Sequence, residues 1–577
     1  MRDILLNLAR ERLTARLAKV SFRDGFALTG RGHTREANQH ETTRNGRDTA
    51  AWYAAGRMVG ILGDAQAKEM LAAIETLQDT DPASPRFGCM RWYAEETKID
   101  DTNGAFFVQM PLAAAMTVYP EVIPEDEKET ILRILARGGH WFRGALAHGP
   151  IHYSNKILSD GGITLAIANL TGNAGLYAEG VRFFEKWIRY TRQEGWGWGE
   201  NMNVGYNLVI FVGMKLAIRS LHPEDKAVAD ELQALMDEQC EMFRFFDGHE
   251  LTPAIRNYNY HGAERLTSAV LNIAGIRENG VRDLGVNPWD FATMVALFGD
   301  ELYLDDADYD ARGMKNDPPV PRTRITHVFH ENEGYSWVGQ NGSLGTLNNF
   351  PVFPNCYQHK SWGLGWQCMP VNAAVYGERV SYARWVVEGN GWTRIHPKHC
   401  YLSPALFEED EPYPPVRTRC RQKNNVVIAF RTMENLDNAG SAIWDEWYIP
   451  ACTAQIREVE ADGRIFTAAA YPNAAILLSP LAGGVIKRID AEDGAVRLAV
   501  RRAASPEGHI RQEQLAGGFL IAFMDGSPAD GGLERFAATI RVREEYALAP
   551  HFTDSVSFTA DGTTVEWEYD IAEKSTL

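Results

Sequence analysis

Hydrophobic positions along the chain change their period once, near residue 315. Before that point they follow a helical repeat. Leu208, Phe211, Val212 and Leu216 fall at i, i+3, i+4 and i+8, and Leu266, Val270 and Ile273 at i, i+4 and i+7. The pattern predicts helices over 49–62, 65–77, 125–147, 175–193, 204–221, 226–245 and 262–276. Gly63-Asp64, Pro120, Gly172-Asn173, Pro223 and Gly275 supply stops between them. Short loops between many helices mean antiparallel hairpins. The stretch 315–321, Lys-Asn-Asp-Pro-Pro-Val-Pro, has linker composition.

From 322 the pattern is one of short strands. Asn341-Gly342 between 335–338 and 344–347 is a hairpin signal. Further strands are predicted over 426–430, 475–478, 496–500, 519–523, 539–542, 556–559 and 564–569. Turns such as Ala482-Gly483-Gly484 and Asp561-Gly562 separate them. Many short strands with turns between them mean a sandwich. The expected fold is therefore multidomain α+β. An (α/α) toroid of helical hairpins spans 1–315, and an antiparallel β-sandwich domain spans 322–577. The interface between the two is the natural place for a cleft.

Composition narrows the function. The chain has 577 residues, 58 Lys+Arg against 76 Asp+Glu, and a formal net charge of −18. That balance argues against a general nucleic-acid binder, although local basic residues decide contact with a polyanionic sugar. Aromatic residues at 11% argue against disorder, and Gly and Pro show no period. The first twenty residues read as a charged amphipathic helix, not a targeting segment, and no apolar run approaches a membrane span. The seven cysteines are scattered, with no CxxC, and there is no HExxH, so no disulfide framework or local metal site is expected. A reducing, cytoplasmic location follows as the expectation.

Three segments carry chemistry. Gly195-Trp-Gly-Trp198-Gly-Glu200-Asn201-Met-Asn203-Val-Gly-Tyr206 opens a helix, with Trp faces for sugar stacking. Its bland reading is that Asn201 or Asn203 is simply an N-cap. The stretch from Asp247 to Arg265 is dense in Arg, Tyr, Asn and His ahead of an amphipathic helix, and a Tyr flanked by cations can take and return a proton. The bland reading there is a polar loop whose tyrosines half-bury at a domain seam. Within 350–366, His359 and Lys360 stand in the β region, from which they would reach across the cleft, unless His359 is structural.

Weaker clusters follow. The run 91–103 pairs Glu95, Glu96, Asp100 and Asp101 with aromatics, and reads best as a solvated loop ending in an N-cap. His152 and Lys156 open another helix and are candidates for lining the cleft. His396-Pro-Lys398-His399 reads as a solvated turn.

The stretch Glu250-Leu-Thr-Pro-Ala-Ile-Arg256-Asn-Tyr258-Asn-Tyr260 ahead of a helix resembles the heparinase II/III-like polysaccharide lyases, a superfamily that includes oligoalginate lyases. Its members carry an E-L-x-R-T-R-S-x-x-Y type of segment, an upstream Asn-His pair at a helix start, and a His from the β domain. They share the order of toroid, then antiparallel sheets. The resemblance implies Tyr260 as catalytic base and acid, Arg256 as the motif Arg, Asn203 as the upstream Asn and His359 as the β-domain His. Asn203 and Tyr260 lie 57 residues apart, as the pattern leads one to expect. Val204 and Asn259 stand where the pattern carries His. The hyaluronate and xanthan lyase group offers a second match through Asp247-Gly248, His249 and Tyr258, so Tyr258 competes with Tyr260.

The chemistry fits those residue types. Elimination across a uronate needs its carboxylate neutralised, its C5 proton removed and the C4 oxygen protonated. Asn amides and a His bind the developing enolate, and one Tyr moves both protons. Arg256 and Lys360 suit carboxylates. Trp198, Glu200, Asn201, Tyr206, Tyr258, His261, His152 and Lys156 are the candidate substrate-binding residues, with no cofactor or metal required. The partner implied is a uronate-containing oligosaccharide or polysaccharide, not nucleic acid or membrane, and a homo-oligomer is as compatible as a monomer. The rival is an inverting glycoside hydrolase with two carboxylates from Asp101, Glu200, Glu250 and Glu264, about 6.5–9.5 Å apart. A non-catalytic carbohydrate-binding protein is the second rival.

Overall fold

The structure, a computed structural model, describes residues 3–149, 151, 153–193, 200–203, 205–254, 268–276, 287–303, 307–308, 318–329, 332–348, 371–388, 416–433, 442–491, 494–503, 516–547 and 553–570. The helices of the first part are α1 (Asp3–Leu17), α2 (Gly46–Val59), α3 (Asp64–Glu75), α4 (Gly104–Val118), α5 (Glu125–His148), α6 (Ser154–Thr171), α7 (Ala174–Gln193), α8 (Tyr206–Ser220), α9 (Lys226–Phe246) and α10 (Ser268–Ile273). Then α11 (Pro288–Asp290) runs through a π-helical turn, Phe291–Val295, into α12 (Ala296–Phe298).

Successive helices alternate between two layers. The inner layer is α2, α4, α6 and α8, each packed on the next, and α11, the π turn and α12 lead from α8 back to α2 and α4. Nearly all side chains of α4, α6 and α8 are buried. The outer helices α5, α7 and α9 are amphipathic and bury one stripe each, such as Leu176, Phe183, Phe184 and Trp187 on α7. Gly60 and Gly172 end α2 and α6 in the left-handed conformation, which a residue without Cβ adopts at no steric cost. Because inner and outer helices run antiparallel, all inner helices start at one end of the ring.

The second part is almost entirely antiparallel. An eight-stranded sheet has the order β15-β16-β11-β8-β7-β6-β5-β4. Its strands are β4 (Arg322–Phe329), β5 (Asn332–Val338), β6 (Gly342–Leu347), β7 (Val371–Val375), β8 (Ser381–Glu388), β11 (Ala442–Ile449), β15 (Lys487–Asp490) and β16 (Val496–Ala503). One face packs on a six-stranded sheet ordered β12-β13-β14-β17-β10-β9 through Trp337, Leu344, Trp385, Trp447, Phe519 and Ile521. Its strands are β9 (Val416–Lys423), β10 (Val426–Met433), β12 (Gln455–Ala461), β13 (Arg464–Ala470), β14 (Ala475–Pro480) and β17 (Gly517–Met524). A third layer of β18 (Arg541–Ala547), β19 (Thr553–Ala560) and β20 (Thr563–Asp570) covers the far face with α13 (Gly532–Ala537). Asp445 lies fully buried between Arg431 and Arg502, at 2.7 and 2.9 Å, and ties the two large sheets together. The structure is therefore a helical toroid followed by antiparallel β-sheets.

Two features depart from the predicted division. Residues 1–315 also hold a small sheet of β1 (Phe22–Arg23), β2 (Phe26–Thr29) and β3 (Thr43–Asn45). Its turn, Asp24-Gly25, has both φ positive, a hairpin signal that the helical period hid. The second is α13, a helix in the strand region where no element was predicted; the strand expected from 539 follows it and starts at Arg541. No helix among the described residues is long and apolar enough to cross a membrane.

Candidate active site at the seam between helices and sheet

The starts of the inner helices form a connected polar rim. Asn45 caps α2 by accepting from the Asp48 N–H at 3.1 Å. The Asn103 amide donates to the Tyr153 hydroxyl at 3.4 Å, joining the starts of α4 and α6. Glu200 caps α6 from outside. Its carboxylate accepts from the Asn155 backbone N–H at 2.7 Å and from the Asn155 amide at 2.7 and 2.8 Å. A negative group at a helix N-terminus is favoured there by the orphan N–H groups and the helix dipole. Trp289 on α11 donates to the Phe107 carbonyl on α4, and the Arg47 guanidinium of α2 stacks on both rings, at 5.1 and 5.2 Å.

The predicted residues fall on this rim unevenly. Asn203 caps α8: its side-chain oxygen accepts from the Gly205 and Tyr206 N–H groups, the first at 2.7 Å. That fixes the amide orientation, so the oxygen is spent on the helix and the NH2 end is the donor end. Asn201 is fully buried and donates to the His327 carbonyl on β4 at 2.7 Å, so it fastens the rim to the sheet. Lys156 is held by Asp160 one helical turn away, at 2.9 Å. Burial opposes its charge, but the Asp160 carboxylate outweighs that and keeps the ammonium above its ordinary pKa. Tyr206 is half-buried at the first position of α8. Tyr258, Tyr260, Arg256, His261, Trp198, His152, His359 and Lys360 lie outside the described residues, as do Glu264, Arg265 and the run 396–399.

The run 91–103 is not the solvated loop the sequence suggested. Trp92, Tyr93 and Glu96 are buried. His33, from the loop between β2 and β3 of the small sheet, is the reason: its Nδ1 meets the Tyr93 hydroxyl at 2.9 Å and its Nε2 meets Asp101 at 3.4 Å. Burial raises the Asp101 carboxyl, and His33 more than offsets that, leaving it below its ordinary value. No sequence signal links His33 to residues sixty positions away. Of the four carboxylates of the hydrolase reading, Glu200 and Asp101 are thus committed to a helix cap and to His33, and Glu250 is half-buried.

Gly334 on β5 is where described residues that lead into the chemistry-bearing segments meet. A Cβ there would lie 3.0 Å from Met202 Sδ and 3.3 Å from Pro253 Cγ, and its ladder partner is Leu347. Met202 precedes Asn203. Pro253 precedes the 255–267 stretch by two residues, and Leu347 precedes the 349–370 stretch by two. The segment before Arg256 is clamped to the sheet: Thr252 Oγ1 donates to Ser343 Oγ at 2.9 Å, and Ser336 Oγ donates to the Thr252 carbonyl at 2.6 Å. His249 stacks on Tyr376 at 3.6 Å between ring centroids. Met202 of the rim, Pro253 of the clamped segment and Leu347 at the end of β6 are therefore all placed at one residue of β5. Among the described residues no three His, Cys, Asp or Glu side chains converge to hold a metal.

No protein-family model and no curated protein matches the chain. Among solved structures it is similar to the Streptomyces coelicolor A3 chondroitin AC lyase in complex with chondroitin sulphate, at 10% identity and a TM-score of 0.52, covering 96% of this chain and 85% of that one. It also aligns with a heparinase III structure at 10% identity and a TM-score of 0.47, covering 94% and 84%. The chain shares the fold of that chondroitin AC lyase, a helical toroid followed by a β domain.

Proposed function

We propose that the protein is a polysaccharide lyase that cleaves a uronate-containing glycan by β-elimination. The observation that carries this reading is the meeting at Gly334: Met202 and Pro253 lie against this one residue of the sheet, and Leu347 is its ladder partner. Asn203, the Arg256–Tyr260 stretch and the His359–Lys360 stretch each follow one of those three anchors within fourteen positions. The similarity to a chondroitin lyase over nearly the whole chain supports the same class of reaction. Domain bounds of 1–315 and 322–577 would place the bond to be broken between the toroid rim and the sheet.

In this reading the capped Asn203 presents its NH2 to the uronate carboxylate, and Arg256 and His359 complete the charge neutralisation. Neutralising the carboxylate acidifies the C5 proton. Tyr260 removes it and returns a proton to the C4 oxygen as the bond to the leaving sugar breaks, giving an unsaturated uronate. Glu200 acts by holding the start of α6, not by activating water, which separates this reading from hydrolysis.

The test is a panel of uronate-containing oligosaccharides followed by absorbance of the unsaturated product. Growth of that absorbance with matching chain shortening is the expected result. Shortening without it would make the protein a hydrolase, and binding without either would make it a binding protein.

A further inference from the structure

Asn203 is held by two amides that take no part in the proposed reaction. The stretch Glu200–Asn203 lies between α7 and α8, and its backbone closes a turn from the Asn203 N–H to the Glu200 carbonyl at 3.1 Å. Side chains grip the other carbonyls. Asn207, in the first turn of α8, donates its NH2 to the Asn201 carbonyl at 3.0 Å and to the Asn203 carbonyl. Gln239, from α9, donates to the same Asn201 carbonyl at 2.6 Å and to Asn207 Oδ1 at 3.4 Å. The hydrogens of both amides are thereby used, and Asn207 cannot flip without facing its oxygen to two carbonyls. Asn201, Asn203, Asn207 and Gln239 are all buried.

Gln239 is an odd choice for its place. Its buried neighbours on α9 include Leu235, Met236, Met242, Phe243 and Phe246. A Leu at 239 would continue that stripe without burying a polar group. A primary amide buried there is unfavourable unless its hydrogen bonds are made, and the oxygens that accept them belong to Asn201 and Asn207. Asn207 in turn joins the 201 and 203 carbonyls through one NH2. The relay therefore ends on the backbone of the residue whose Oδ1 caps α8 at the Gly205 and Tyr206 N–H groups. With that backbone fixed and that oxygen committed, the direction of the Asn203 NH2 end is fixed as well.

We propose that Gln239, acting through Asn207, is a positioning residue for Asn203 and sets the aim of its amide at the uronate carboxylate. The proposal rests on the lyase reading for what Asn203 binds, and on the hydrogen bonds for how Asn203 is held. Negative charge on the carboxylate oxygens grows as the C5 proton leaves, so a donor aimed at them matters more in the transition state than in the bound substrate. Loss of aim should therefore appear in kcat before it appears in KM.

The test compares the full chain with Gln239→Leu, and with Gln78→Leu as a matched control. Gln78 is also a buried glutamine whose NH2 holds two carbonyls, those of Gly88 and Ile134 at 3.2 and 2.9 Å, but neither is at the start of an inner helix. Turnover is read from the unsaturated product of chondroitin sulfate and alginate oligosaccharides, and hydrogen exchange at the Gly205 and Tyr206 amides by mass spectrometry. In Gln239→Leu, kcat should fall by at least about tenfold with a smaller change in KM. Exchange at the two capped amides should quicken by about fivefold, the weight of a lost cap. Gln78→Leu should lower the unfolding temperature to a similar degree and change neither readout. Gln239→Glu keeps the shape and serves if the leucine variant does not fold. A buried neutral carboxyl can donate to the Asn201 carbonyl and a carboxylate cannot, so its kcat relative to the parent should recover as pH falls. Equal losses of kcat in Gln239→Leu and Gln78→Leu, or unchanged exchange in Gln239→Leu, would overturn the positioning role. If the parent forms no unsaturated product from any chain, the lyase reading fails, and the exchange at Gly205 and Tyr206 alone decides whether Gln239 positions Asn203.

Discussion

Asp290 shows how burial at a single residue writes a pH dependence into this fold. It stands in the first turn of α11, and burial pushes its carboxyl up to about 6 against the pull of Arg47 and Arg16. The folded state thus holds a proton that the unfolded chain releases near its ordinary value. Stability from this group is fully present below the unfolded pKa and is lost as pH rises through about 6. Asp290→Asn should therefore be more stable than the parent above pH 7, by on the order of 1–3 kcal/mol. The gain should fade toward about pH 4, where both carry a neutral side chain. Urea unfolding at pH 5 and pH 8 checks this, and a gain independent of pH would show that the carboxylate charge is not its source. At the reaction centre, the paired substitutions are Tyr260→Phe and Tyr258→Phe. In the proposed mechanism the hydroxyl moves the proton and the carboxylate contacts are made elsewhere, so Tyr260→Phe should lower turnover at least about 10²-fold while affinity changes little. If Tyr258→Phe carries the loss instead, the hyaluronate-lyase-like match is the right one. Motif chemistry in the sequence singled out both tyrosines, Asn203 and Arg256 as candidates, and of these Asn203 lies among the described residues. It did not make His33 legible, because the hydrogen bonds that bury Tyr93 and hold Asp101 come from a distant loop.

Elements with two unequal faces were the legible ones, although α8 kept a helical period while buried on nearly every side. The outer helices α5, α7 and α9 bury one stripe each, and their predicted bounds agree to within one residue at each end. The inner helices α4 and α6 gave no periodic signal because they are buried all round. In α4, the run Ala-Phe-Phe-Val-Gln-Met-Pro-Leu-Ala-Ala-Ala has no polar face to set a phase, and Pro111 reads as a break. Strands β8 and β11 were hidden for the opposite reason: Arg384, Asp445 and Glu446 look solvent-facing until their buried partners are seen. The start of α6 is stabilised by a residue far along the chain, Glu200. Asn155→Ala removes the amide donor from a carboxylate that is 1% exposed and leaves that charge undersatisfied. It should cost on the order of 3 kcal/mol. Glu200→Gln, which keeps the shape and one acceptor oxygen, should cost less. Thermal unfolding of the two variants checks the order, and a larger loss in turnover than in stability for Glu200→Gln would revive a catalytic carboxylate.

At the scale of the whole molecule, the order of helices then strands was readable from the change of period, but the seam was not, because it is made of small residues without a pattern. Gly345 is its tightest point: a Cβ would overlap the backbone of Thr252 and Pro253, which has no freedom to swing aside as a side chain would. Its φ lies outside the left-handed region, so Gly345→Ala introduces only that overlap. The clamped segment must then lift from β6, weakening the bonds from Thr252 to Ser343 and from Ser336 to Thr252. The cost should be roughly 1–3 kcal/mol, borne at the interface and not in either core. Two domains that unfold together through a shared interface uncouple when that interface is weakened. Calorimetry of Gly345→Ala should show the unfolding endotherm broadening or dividing, while circular dichroism at low temperature keeps the helix and sheet content of the parent. Turnover should fall at the same time, because the stretch that leads to Arg256 and Tyr260 no longer starts from its place beside Met202. Gly562→Ala is the control. It has a positive φ and open space around it in the turn between β19 and β20 of the third layer, so it strains a turn away from the seam and should leave turnover unchanged. Equal loss of turnover in both variants would mean that the seam does not position the reacting residues.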